Sequence, residues 1–125
     1  MLVVRFDAAG ADGPTLRLAG SAAGMTLLRA ACQRLAADAD TLSLGDIDGV
    51  RLECVADIQL RRGQRPGRPQ LIGRHSPVVV FDCTAEQWET RARLLDPLIK
   101  QPGTGFQYLD HDSTGDATVV AETIA

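Results

Sequence analysis

Aromatic residues are scarce in this chain: three Phe, one Tyr and one Trp among 125 residues. The core must then be built mainly from Leu, Val, Ile and Ala, so lost packing at Trp88 or Phe81 should cost disproportionately. Lysine is scarcer still, a single Lys against twelve Arg. Codon bias in a GC-rich genome places Arg wherever a cation is tolerated, so arginine content is no argument for nucleic acid. No apolar run approaches the ~18 residues of a membrane span, and the N-terminus lacks the pattern of a signal peptide. A cytoplasmic protein without a membrane partner is expected. The cysteines Cys32, Cys54 and Cys83 are an odd number at wide spacings, with no CxxC and no Cys/His cluster, which excludes a disulfide framework and a structural zinc site. The phosphate-loop spacings GxxxxGK[ST] and GxGxxG are missing as well, so helix capping accounts for Gly20 to Gly24. No cofactor is expected.

What is present fits one domain, residues 1–125, with 45% hydrophobic residues to close a modest core. The net charge of −3 conceals an asymmetry. Arg61, Arg62, Arg65, Arg68 and Arg74 fall in a stretch without acidic residues, leaving eight basic against sixteen acidic residues elsewhere. This is an acidic body carrying one basic loop, at 62–76.

The stretch Val50 to Arg62, VRLECVADIQLRR, alternates Leu52, Cys54, Ala56, Ile58 and Leu60 with mostly polar neighbours. A period of two predicts one long antiparallel strand with Cys54 on its buried side and Arg51, Glu53, Asp57 and Gln59 on a wet side. Earlier, Leu2, Val4 and Phe6, then Leu16 and Leu18, predict a loose hairpin. Ser21 is the expected N-cap of a helix to about Ala37, with Met25, Leu28, Cys32 and Leu35 on one stripe. A short strand is expected around Leu42 and Leu44.

The Gly- and Pro-rich segment after Arg62 predicts a loop. Val78 to Phe81 predict a strand, and Thr84 with Gln87 predicts a capping box for a second helix whose buried stripe is Trp88, Ala92, Leu95 and Ile99. Pro97 predicts a kink or an end near Leu95. Two last strands, Phe106 to Leu109 and Thr118 to Ile124, complete the order β-β-α-β-β-β-α-β-β. The fold class expected is α+β: a single antiparallel sheet of about six or seven strands with two helices on one face.

Few residues promise chemistry. Cys83 precedes a helix N-cap, but alternation turns it into the core with Val79 and Phe81. Asp110, His111 and Asp112, with Asp116, offer metal or proton-transfer groups, yet their spacing matches no ligand motif and suits a hairpin turn equally well. A small enzyme or metal-binding domain with its site near Asp110, His111 and Cys83, assisted by Tyr108 or Arg74, is the alternative reading. The acidic pI and the lack of interleaved aromatics argue against nucleic acid.

The segment VVVFDCTAEQWETRARLLDPLIK, followed by Gly105-Phe106-Gln107-Tyr108-Leu109-Asp110, resembles small uncharacterised bacterial α+β proteins, some of which are immunity partners of secreted toxins. The resemblance implies a domain that occludes a partner protein, such as a cationic toxin, through charge complementarity. The expected function is therefore a non-enzymatic protein-binding module, of the immunity or small regulatory kind. Its expected contact residues are Arg51, Glu53, Asp57 and Gln59 on the wet strand face and Asp46, Asp48, Asp110 and Asp112 in acidic turns. Arg65, Arg68 and Arg74 on the basic loop join them. Homodimerisation through the sheet edge or the wet face is a third reading.

Overall fold

The computed structural model describes residues 1–10, 13–73, 76–101, 105–110 and 117–124. Among the described residues, nine strands and two long helices follow one another. These are β1 (Leu2–Gly10), β2 (Gly13–Gly20), α1 (Ala22–Ala37), β3 (Thr41–Ser43), β4 (Val50–Glu53), β5 (Asp57–Arg62), β6 (Pro69–Ile72), β7 (Val78–Cys83), α2 (Ala85–Lys100), β8 (Phe106–Asp110) and β9 (Thr118–Thr123). A 3-10 turn, Leu44–Asp46, follows β3. The class is α+β, but the expected single antiparallel sheet is replaced by two mixed sheets. One has five strands in the order β4-β1-β2-β9-β8 and the other four in the order β3-β5-β7-β6. The pairs β1/β4, β2/β9 and β5/β7 are parallel.

The helices begin where local chemistry places them. Ser21 accepts a hydrogen bond from the Gly24 amide at 3.3 Å. At α2 the capping box closes both ways, Gln87 N–H to Thr84 Oγ1 at 3.2 Å and Thr84 N–H to Gln87 Oε1 at 3.0 Å. Each satisfies donors that a helix start leaves open. Gly24 allows the first turn of α1 to lie directly against the start of β1, since a Cβ there would fall on the Met1 carbonyl oxygen.

Met25, Leu28, Cys32 and Leu35 are buried on α1 as their spacing predicts, and Trp88, Ala92 and Leu95 on α2. The helix does not end near Leu95, one of the two outcomes expected from Pro97; α2 runs on to Lys100. The missing N–H and the crowded Arg93 carbonyl are offset by what the last turn buries: Leu98 enters the core and Ile99 packs against it.

The main correction concerns Val50 to Arg62, which is two strands in two sheets. Cys54 sits between them in the left-handed region, φ 59°. The chain turns there, so Val55 enters the core while Cys54 and Ala56 face solvent. Cys54 is thus exposed, not buried. The Ala56 amide is taken by the Pro77 carbonyl at 2.9 Å, which holds the turn against the start of β7.

Each helix carries the chain from one sheet to the other: β2-α1-β3 leaves the five-stranded sheet, and β7-α2-β8 returns to it. Both sheets therefore turn their apolar sides to one shared core. Leu16, Leu18, Leu109 and Val119 from one sheet, Ile58, Leu60 and Phe81 from the other, and Leu28, Cys32 and Trp88 from the helices line a common void of only about 10 Å³. The core is close-packed. Trp88 anchors it, edge-on to Phe81 with ring centroids 5.2 Å apart and donating from Nε1 to the Arg61 carbonyl at 2.9 Å. The helices are therefore not spread on one face of one sheet; they complete a core that two sheets enclose.

Candidate functional site

The break at Cys54 divides the expected contact surface. Arg51 and Glu53 stand on the outer side of the five-stranded sheet, at its β4 edge, whereas Asp57 and Gln59 stand on the outer side of the four-stranded sheet. They do not form one face. Asp57 is also committed internally: its carboxylate accepts from Ser43 Oγ at 2.5 Å and from the amides of Gly45 at 3.2 Å and Ile58 at 2.8 Å, tying the 3-10 turn to β5. Asp46 and Asp48 are exposed on the connection from that turn into β4. The Asp110 side chain, His111, Asp112, Asp116 and Arg74 lie outside the described residues.

The basic segment 62–76 is not one continuous irregular loop, because Pro69–Ile72 forms the edge strand β6 on β7. An edge tolerates the proline that a central strand would not. Arg61 and Arg62 are engaged within the fold. Arg61 clamps Asp82 through Nε at 2.7 Å and Nη2 at 2.9 Å, and Arg62 reaches Asp40 at 3.0 Å. The Asp82 carboxyl is held below the usual carboxylate range by its hydrogen bonds from Arg61. Arg65 and Arg68 are exposed.

The buried thiols, Cys32 and Cys83, offer no accessible nucleophile. Cys83 is fully buried, as its strand phase predicts, and burial pushes the Cys32 thiol up to about 12. Among the described residues no group of three or more His, Cys, Asp or Glu could hold a metal ion.

A better site lies on the outer side of the five-stranded sheet, which strand pairing sets out row by row. Val3, Arg5 and Asp7 of β1 stand beside Ala19, Arg17 and Thr15 of β2, then Glu122, Val120 and Thr118 of β9, then Phe106 and Tyr108 of β8. Period two explains why these residues share one side while Leu2, Val4, Leu16, Leu18, Val119 and Ala121 fill the core. Arg5 and Arg17 are directly opposite, an unfavourable pairing, and each leans away toward a carboxylate: Arg5 to Glu53 and Arg17 to Glu122, both at 3.9 Å.

Between β2 and β8 this side holds a depression of about 170 Å³ lined by Thr15, Arg17, Phe106, Tyr108, Val120 and Glu122. Val120 and Thr15 are buried although they point away from the core. Phe106 is 63% exposed and stands nearly perpendicular to Tyr108, at 83° with centroids 5.7 Å apart. Ile124, also exposed, continues the outer series of β9 just beyond its end. A chain with five aromatic residues thus places two of them on a solvent-facing surface. The expected contact list held none of the residues that line this depression. For Phe106 and Tyr108 the signal was the i, i+2 aromatic pair on a short strand.

A larger open bowl, about 720 Å³, lies beside the start of α2 between Gln64, Pro66, Thr84, Glu86, Gln87, Thr90 and Arg91. Several of its polar groups are engaged within the fold, although Arg91 Nε is buried without a hydrogen-bond partner. Thr84 and Gln87 close the capping box, and the Arg91 guanidinium lies over Phe81 at 5.0 Å and Trp88 at 5.9 Å while donating to the Gln87 carbonyl.

No helix among the described residues is long and apolar enough to cross a membrane. Compared with known protein families, curated proteins and solved structures, the chain matches none.

Proposed function

We propose that this protein is a non-enzymatic binding module whose protein partner docks on the outer side of the five-stranded sheet, next to β8. One observation carries the reading: Phe106, one of the few large apolar side chains left exposed among the described residues, lines a depression on a sheet side that neither helix covers. Exposed aromatic side chains around a small pocket are the usual anchors of protein interfaces. The surrounding Arg5, Arg17, Arg51, Glu53 and Glu122 supply the polar rim. Arg51 and Glu53 from the expected contact set belong to this side, at its far edge.

The acidic body suits a partner with a basic surface, which steers encounter and sharpens specificity. A cytoplasmic immunity or small regulatory protein of a bacterium, occluding its partner, is the form of this function that the resemblance in the C-terminal third favours.

The test uses a partner captured from cells that produce the protein, purified, and measured against variants. Phe106→Asp should weaken binding at least about thirtyfold, since loss of an anchor costs ~2 kcal/mol or more. Gln70→Asp, on the outer side of the other sheet, should leave it unchanged. Equal affinity for Phe106→Asp and the unaltered protein, with matching melting temperatures, overturns the assignment.

A further inference from the structure

We infer that the depression between Phe106, Tyr108 and Glu122 is a receptor for one cationic side chain of the partner, a guanidinium or an alkylammonium; this rests on the docking side proposed above. Its volume, about 170 Å³, is below the ~300–1,000 Å³ of pockets that hold drug-sized molecules, and suits a single head group. Two perpendicular rings make two walls of a corner. Ring faces carry negative potential and attract a cation placed over them. Glu122 adds a carboxylate to the rim and Val120 an apolar floor that the alkyl stem of Arg or Lys can cover. The same chemistry is used inside this molecule, where Arg91 lies over Phe81 and Trp88.

Arg17 sharpens the inference because it is a competitor built into the site. It also lines the depression, and its contact with Glu122, 3.9 Å between partly exposed groups, is long and weak. Arg5, directly opposite, presses it toward that carboxylate. An incoming cation must share or take Glu122 from Arg17. Removal of the Arg17 charge should therefore strengthen cation binding, whereas a receptor for anions would lose the cation that lines it by the same change.

The probes are Nα-acetyl-arginine methylamide and its citrulline counterpart, which keeps the shape but replaces one donor nitrogen by a carbonyl oxygen and lacks the charge. Binding is read from the methyl resonances of Val120 and the ring resonances of Phe106 and Tyr108 in the intact protein. The arginine probe should shift all three and bind about two- to fivefold more tightly than the citrulline probe, the range expected for a cation over exposed rings. Glu122→Gln should weaken it, Arg17→Gln should tighten it, and added salt should weaken it. Equal binding of both probes overturns the cation receptor while leaving the docking side intact. Weaker arginine binding in Arg17→Gln, or no shift at these three residues, overturns it as well. Loss of the docking side itself would show separately, as partner binding indifferent to Phe106→Asp.

Discussion

Replacement of Cys54 tests the turn that divides the molecule into two sheets, because the two descriptions of Val50 to Arg62 predict opposite signs. Cys54 is exposed with φ 59°, a region that costs an L-residue with a Cβ roughly 1–2 kcal/mol. Glycine removes that cost, and its greater freedom in the unfolded chain returns about 0.5–1 kcal/mol of it. Since an exposed side chain contributes little packing, Cys54→Gly should raise stability by about 0.5–1 kcal/mol. Valine is worse than cysteine at positive φ because its branched Cβ crowds the backbone, so Cys54→Val should lower stability by about 1–2 kcal/mol. For a domain of this size about 1 kcal/mol corresponds to a Tm change of roughly 3–5 °C. Urea and thermal unfolding followed by circular dichroism resolve such changes. In a continuous strand with Cys54 turned inward, glycine would weaken the strand and empty a buried position, while valine would fit well. A less stable Cys54→Gly together with an unharmed Cys54→Val would refute the two-sheet account.

Further predictions concern burial, the helix end and pH. In the native protein an aromatic disulfide reagent should label Cys54 quickly and leave Cys32 and Cys83 unreacted until denaturant is added; fast labelling of a second thiol would contradict the core described above. Pro97→Ala should stabilise the fold by about 1–3 kcal/mol, since alanine restores the missing donor within a helix that continues to Lys100. No gain in urea midpoint would place the helix end earlier. The Asp82 carboxyl is depressed in the folded state, so its contribution is fully present above the unfolded pKa near ~3.9 and is lost as pH falls through the lower folded value. Asp82→Asn should accordingly flatten the acid limb of the stability profile and leave the region above pH 5 parallel to that of the unaltered protein. The change is small because the pair is partly exposed.

Local features were legible because short-range physics decides them. The helical period and the hydroxyl caps at Ser21 and Thr84 locate both helices, and alternation locates the hairpin and the core phase of Cys83. The partition into sheets was not legible. Thirteen residues from Val50 alternate well enough for one strand, and a left-handed residue that is neither Gly nor Asn leaves no mark in the sequence. Pro97 misleads for a related reason, since Leu98 packing outweighs a local penalty that is visible while the packing is not. Pro69 to Ile72 reads as loop because edge strands accept residues that central strands reject. At the site, the strand Phe106 to Leu109 was evident, but Phe106-Gln107-Tyr108-Leu109 has large apolar groups on both phases. Only pairing with β9 shows that the two rings face outward and Leu109 inward.

The central claim is that a partner docks on the outer side of the five-stranded sheet, and site-specific photo-crosslinking tests it most directly. A photoreactive phenylalanine analogue placed at position 106, and in separate variants at positions 17 and 70, is activated in cells that produce the protein. One defined adduct from positions 106 and 17, and none from position 70, is the predicted result. The same adduct from position 70 alone, or none from 106 and 17, would contradict it.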